Sequence, residues 1–161
     1  MALFSNKQEA NLRVCIKMVE DAISDLGHVP DDSRIEGPEP DLPAWRVVKG
    51  NAHVFVYLGV SGNDNILRVL APVLILPDGP GGTDLLALFQ HLLELNASAV
   101  AGAAFGLRER EVVLCAERTT VDLDPSEVTD IIKRVEDFAD RYGAELVSRF
   151  GGRVAPHSTI A

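Results

Sequence analysis

The sequence predicts one α+β domain, in which helices pack on an antiparallel β-sheet in the chain order α-β-β-β-α-β-β-α. Two observations support this fold class. Apolar residues recur at helical spacing near both ends of the chain and at its centre, and the segments between them are short apolar runs separated by turn residues. Tight turns join antiparallel strands, because parallel strands need a long crossover. We expect residues 1–152 to form the domain and residues 153–161 a flexible tail.

The composition is that of a globular protein with an acidic surface. The chain has 161 residues, a net charge of -9, a pI of about 4.8 and 47% hydrophobic residues. This charge disfavours nucleic acid and anionic membranes as partners, and it suits a basic or apolar protein. No signal peptide or membrane-spanning run is visible, so we expect a cytoplasmic protein in which Cys15 and Cys115 are buried thiols rather than a disulfide.

The first helix is predicted over Lys7–Leu26, where one apolar stripe follows helical spacing and Gly27 provides a stop. The stripe comprises Leu12, Cys15, Ile16, Val19, Ala22, Ile23 and Leu26. Val14 and Met18 lie off the stripe, either as isolated surface residues or as part of a contact surface. The segment Val29–Pro43 is rich in proline and acidic residues, and it is predicted to be an irregular loop.

Three strands follow as an antiparallel meander. They are predicted over Trp45–Lys49, His53–Val60 and Ile66–Leu76. The third strand should bend where Pro72 removes a donor from the β-ladder. The second and third strands are apolar on both faces, which predicts that both faces of the sheet are largely covered.

The central helix is predicted over Thr83–Asn96, with Thr83 or Asp84 as its N-cap, and it is apolar most of the way round. Leu85, Leu88, Phe89 and Leu92 form one face, whereas Leu86 and Leu93 lie well round from it. A helix with this pattern is buried on more than one side. We therefore expect it to pack against the sheet on one side and against a second copy of the chain on the other.

Two strands and a long helix complete the fold. Ala99–Leu107 is rich in alanine and glycine and is predicted to be a strand that a helix or a second subunit approaches closely, with a continued helix as the alternative. Glu111–Arg118 is predicted to be the last strand. The last helix begins with a capping box, in which Asp124 is the N-cap, Pro125 the first helical residue and Glu127 the third.

The sequence contains no recognisable catalytic or metal-binding motif. None of the four histidines stands at ligand spacing from another histidine or a cysteine, and no nucleophile motif or complete P-loop is present. We therefore expect no cofactor and no metal, and we favour a non-enzymatic binding protein. An enzyme or a small-ligand sensor is the competing hypothesis, and it requires a deep polar pocket under the Val29–Pro43 loop.

Four segments carry a resemblance to a known family. They are Leu67–Val73 in the third strand, Ala104–Leu107, Val121–Val128 at the start of the last helix, and Ala139–Gly152 at its end. Together they resemble the type III secretion chaperone-like superfamily (the Tir-chaperone type) and, within it, the YbjN-type proteins. The Val29–Pro43 loop is longer than a compact chaperone of this type needs.

The resemblance implies a small, acidic, cytoplasmic homodimer that binds a protein partner, such as a secreted effector or a regulator. The expected dimer interface, on the central helix and just after it, comprises Leu85, Leu88, Phe89, Leu92 and Val100. The expected groove for an extended apolar segment, on the first helix and the meander, comprises Val14, Met18, Val54, Val56 and Val69. YbjN-type proteins also occur without a secretion system, so a regulatory module that binds a folded partner is the alternative.

Overall fold

The secondary structure of the computed structural model covers residues 2–37, 42–62, 64–77 and 84–154, with side chains described from residue 8 onward. The helices are α1 (Ala2–Asp25), α2 (Pro30–Ser33), α3 (Leu85–Ser98) and α4 (Pro125–Phe150). The strands are β1 (Arg34–Ile35), β2 (Ala44–Lys49), β3 (Ala52–Ser61), β4 (Asp64–Ile75), β5 (Ala104–Arg108) and β6 (Glu111–Thr119).

All six strands form one antiparallel sheet in the order β1-β2-β3-β4-β6-β5. The predicted α+β class and antiparallel meander are therefore confirmed. In the chain, β5 comes before β6, but in the sheet β6 lies between β4 and β5. The predicted bend in β4 is also present, because the register with β6 shifts between Pro72 and Leu74.

Helices α1, α3 and α4 pack on one face of the sheet. Alternate strand residues point into this layer, and Trp45, Val54, Val56, Leu58, Leu67, Val69 and Leu114 are fully buried there. On the opposite face Ala44, Tyr57, Leu70 and Val113 form a second buried cluster, with Ile35 and Cys115 beside it. Both faces of the central strands are thus buried, as their two-sided apolar pattern predicted. Cys15 and Cys115 belong to different clusters, and both are free thiols.

The Val29–Pro43 segment is more regular than predicted. Pro30 lies at the start of α2, where a missing N–H costs nothing, and Asp31 and Asp32 fall in the first turn, where acidic side chains are favourable. The next two residues form β1, in which Ile35 pairs with Ala44 at the edge of β2. The prediction of an irregular loop was wrong for these residues. Pro30 and the two aspartates stabilise the start of a helix, and the edge of β2 provides hydrogen bonds to a short strand.

The segment after the central helix forms less strand than predicted. Helix α3 continues to Ser98, residues 99–103 form a turn in which Gly102 has a φ of 70°, and β5 begins only at Ala104. A left-handed backbone of this kind favours glycine and interrupts a strand.

Both long C-terminal helices begin at side-chain caps. At α4 the Asp124 carboxylate accepts from the Glu127 N–H at 3.0 Å, and the Glu127 carboxylate accepts from the Asp124 N–H at 3.1 Å, which confirms the predicted capping box. At α3 the cap is Asp84, whose carboxylate accepts from the Ala87 N–H at 3.0 Å. Thr83, the other candidate for this cap, lies outside the described residues.

A network of polar side chains fixes α1 to the sheet. The Thr120 hydroxyl donates to Asn11 Oδ1 at 2.6 Å, and Asn65 Nδ2 donates to the same oxygen at 3.1 Å. Asn65 also accepts from Gln8 Nε2 at 3.3 Å. Asn65 and Thr120 are buried, so the network joins the helix to the start of β4 and the end of β6 away from solvent.

The C-terminal end of α4 is tied to β4 by backbone hydrogen bonds. The Ile75 N–H donates to the Arg153 carbonyl at 2.8 Å, and the Arg153 N–H donates to the Ile75 carbonyl at 3.3 Å. Arg153, the first residue of the expected flexible tail, is therefore paired. Residues 155–161 of that tail lie outside the described residues.

Candidate functional site

Helix α3 has an inner apolar face and an outer apolar face. Leu88 is fully buried and Leu92 is nearly so, and both contribute to the main core. Leu86 and Leu93 stand seven residues apart on the outer side and are 70% and 67% exposed. The sequence predicts a helix that is apolar on more than one side, and this arrangement fits that prediction. The inner side packs against the core, and no described residue covers Leu86 and Leu93 on the outer side.

The residues expected at a dimer interface divide between these two faces. Leu88, Leu92 and Val100 lie in the core of the single chain, where a second copy cannot contact them. Leu85 is exposed and Phe89 is half-buried. Sequence reasoning noted that Leu86 and Leu93 stand apart from the main stripe but did not place them at an interface, although this separation was the available signal. We call Leu85, Leu86, Phe89 and Leu93 the outer face of α3.

The residues expected in a partner groove also divide. Val14 is exposed, and Met18, one helical turn further along α1, is half-buried. Val54, Val56 and Val69 are fully buried beneath the helices. These three face the core because they occupy the strand positions that alternate toward the helix layer. In this structure only the α1 part of the expected groove is accessible.

The edge of β2 is partly open. Its first residues pair with β1, in the register Arg34–Trp45 and Ile35–Ala44. No other described strand lies beside the remaining residues, 46–49. Because the Leu58 N–H donates to the Pro43 carbonyl and Lys49 pairs with Ala52, alternation turns the backbone groups of Arg46 and Val48 away from β3. Sequence reasoning missed this site, since edge position depends on the order of strands in the sheet.

The other edge of the sheet, at β5, is closed at one position by a side chain. Asn96 of α3 donates from Nδ2 to the Phe105 carbonyl at 3.1 Å and accepts from the Phe105 N–H at Oδ1 at 2.7 Å. Both outward-facing backbone groups of Phe105 are thereby paired. Leu107, two residues later, faces outward in the same way and its side chain is 51% exposed.

One carboxylate is buried in the helix layer. Glu136 of α4 is 2% exposed, and its Oε1 lies 3.2 Å from His28 Nε2 in the turn after α1. Burial raises the pKa of Glu136 above its ordinary value, although His28 acts in the opposite direction. The neighbouring Asp137 forms an ion pair with Lys49 at the end of β2.

A cavity of about 260 Å³ lies between β6 and the first half of α4. Its lining includes Glu117, Arg118, Glu127, Asp130 and Arg134, and Arg118 is ion-paired with Glu127 at 3.0 Å. This charged surface cleft differs from the largely apolar pockets that hold small molecules, and it does not lie under the Val29–Pro43 segment.

Among the described residues, no three potential ligands converge to hold a metal ion. No helix in that part of the chain has the length and apolarity of a membrane span.

Comparison with known proteins gives one family and one fold. The family model described as "T3SS (YopN, CesT) and YbjN peptide-binding chaperone 1" matches residues 13–157. A chain in the crystal structure of the ExsC-ExsE complex superimposes with a TM-score of 0.54 at 15% sequence identity, covering 82% of this chain and 92% of that chain. At this identity the structural match establishes a shared fold. No curated protein matches the sequence.

Proposed function

This chain belongs to the family of T3SS and YbjN peptide-binding chaperones, and from that premise we propose that it binds an extended, apolar segment of a protein partner, without catalysis and as a homodimer. The proposal combines three parts: the edge of the sheet that accepts the segment, the accessible apolar residues of α1, and the surface that joins two copies.

The open edge of β2 carries the proposal. The outward N–H and C=O groups of Val48 and the outward C=O group of Arg46 are available to an added strand, which would continue the sheet by main-chain hydrogen bonds. Such bonds recognise an extended backbone of any sequence, and side-chain pockets add selectivity. Val14 and Met18 on α1 are the expected groove residues that remain accessible to an apolar side chain of the partner.

The outer face of α3 supports the homodimer. Two leucines that are about two-thirds exposed on one helix face are costly in water, and covering them is favourable by roughly 25 cal/mol per Å² of apolar surface. A surface that is repeated on an identical chain is covered most simply around a two-fold axis, where the same patch meets itself.

A proline substitution tests the strand addition. Val48→Pro removes one outward N–H of β2 and leaves the hydrogen bonds to β3 intact, since Val48 does not donate to β3. We expect the purified variant to melt near the wild-type temperature and to lose the partner that tagged wild-type protein captures from its own cells, as measured by quantitative mass spectrometry.

The matched control is Leu107→Pro, which removes an outward N–H from the opposite edge of the sheet. It should capture the partner as well as wild type does. If Val48→Pro also retains the partner, strand addition at β2 is contradicted. A retained complex with a stably folded partner would then favour the regulatory module as the function of this chain.

A further inference from the structure

The side-chain amide of Asn96 imitates a neighbouring β-strand. A carboxamide has one donating and one accepting group in the geometry of a peptide unit. Here both are used on the same residue, at 3.1 Å to the Phe105 carbonyl and 2.7 Å from the Phe105 N–H. This pairing lies on the outer side of β5, where the next strand of a larger sheet would otherwise lie.

We propose that Asn96 closes the β5 edge against strand addition. This inference deepens the proposed function, on which it rests, by assigning the partner's strand to β2 and leaving the outer face of α3, rather than β5, to join two copies. An exposed edge strand is a template for pairing with another chain, and proteins block such edges by specific devices. Here the device is a single amide from the helix that packs beside the edge.

The register explains why one amide is sufficient. In β5 the outward positions are Phe105 and Leu107, because these residues alternate with those that bond to β6. Phe105 is occupied by Asn96, so of the two outward positions only Leu107 lacks a hydrogen-bond partner among the described residues before the strand ends at Arg108. A single two-point contact is too short to hold an incoming strand. Removing the amide would free the outward backbone groups of Phe105 next to those of Leu107. The edge would then have two consecutive outward positions for an incoming strand, and the Leu107 side chain beside them is exposed.

The decisive variant is Asn96→Ala. Alanine is a good helix former, so α3 should persist while the amide is lost. We expect sedimentation velocity to show concentration-dependent species larger than those of wild type. At low protein concentration, we expect the Phe105 amide hydrogen to exchange about tenfold faster than in wild type, because its acceptor is gone.

Two further variants separate edge pairing from general unfolding. Ser98→Ala, on the same helix, removes a hydroxyl that donates to the Glu94 carbonyl within the helix at 2.8 Å, and it should keep the wild-type size. The double variant Asn96→Ala/Leu107→Pro removes the outward N–H of Leu107, so that only the freed Phe105 position remains, as a single position is open in wild type, and it should return to the wild-type size. Larger species that persist in the double variant would indicate unfolding and would overturn the proposal.

The proposal is also overturned if Asn96→Ala sediments as wild type does while Phe105 has lost its protection. Should Asn96→Ala fail to fold, Asn96→Asp decides the question, since its carboxylate still accepts from the Phe105 N–H but cannot donate to the carbonyl. It should self-associate more than wild type, and an unchanged size would contradict the proposal. These readouts concern β5 alone, whereas failure of the proposed function appears in Val48→Pro.

Discussion

At the scale of single residues, Glu136 is the one charged residue that is buried among the described residues. Its carboxylate is almost completely buried, with His28 at 3.2 Å and the Lys49–Asp137 ion pair on the neighbouring surface. Burial raises the pKa of Glu136 and outweighs His28 and then Lys49, which both favour the ionised form, while Asp137 disfavours that form. A carboxyl group whose pKa is higher in the folded state than in the unfolded state favours folding at low pH and loses that contribution as the pH rises through the folded-state pKa.

We predict that Glu136→Gln changes the pH dependence of stability. Glutamine keeps the shape of the side chain and does not ionise, so the variant should gain melting temperature relative to wild type as the pH rises from about 4 to about 8. Thermal melts of both proteins across this range measure the difference. Glu145→Gln, at a more exposed carboxylate on the same helix, is the control and should show a smaller trend. A wild-type advantage that grows with pH would contradict the assignment.

At the scale of elements, α1 is attached to the sheet by polar as well as apolar contacts. Its apolar stripe meets the core, but its first half is positioned by hydrogen bonds that Asn11 Oδ1 accepts from Thr120 and Asn65. These two partners follow β6 and begin β4, so one helix side chain joins two separate strands. Loss of this connection should loosen the part of α1 that carries Val14 and Met18.

We predict that Thr120→Val lowers the free energy of unfolding by about 1 kcal/mol, because a buried hydroxyl that donates at 2.6 Å is replaced by a methyl group of similar size. Urea denaturation measures the change, and hydrogen exchange should show faster opening of α1. Thr119→Val, at the exposed neighbouring position, should stay within about 0.5 kcal/mol of wild type. Equal effects of the two substitutions would show that the network does not stabilise the fold.

At the scale of the whole molecule, the two sides of α3 have different roles. The inner side closes the core of one chain, and the outer side is where we propose that two chains meet. Aspartate at an inner position leaves a buried charge without a partner, which unfolds the chain. Aspartate at an outer position is tolerated by a single chain and excluded from an apolar interface.

We therefore predict that Leu86→Asp/Leu93→Asp is a folded monomer, whereas wild type is a dimer by light scattering. Leu88→Asp, the control on the inner side, should lose the cooperative thermal transition. A double variant that keeps the wild-type mass would remove the outer face of α3 from the interface. A monomeric wild-type protein would exclude the homodimer itself.

The fold could be predicted from the sequence where local chemistry decides structure. The Asp124–Glu127 capping box, the turn at Gly50 and the bend at Pro72 each depend on residues close in the chain. The partner groove and the dimer interface could not be assigned from local sequence, because the order of the strands in the sheet decides which of their residues are exposed. Val56 and Val69 belong to strands that are apolar on both faces, and the packing of the helices decides which face joins the main core. Asn96 pairs with the backbone of Phe105, nine residues later in the chain, and its own local sequence does not indicate this contact.

The position of β6 between β4 and β5 imposes an order on biosynthesis. A nascent chain that ends before Glu111 has made β4 but lacks the strand that covers one of its edges. It also lacks α4, so Val54, Val56 and Val69 have no complete helix layer above them until the ribosome has added Pro125–Phe150. Until then, the nascent chain exposes an unpaired β-strand edge beside uncovered valine side chains. We expect such a chain to be a substrate for molecular chaperones itself.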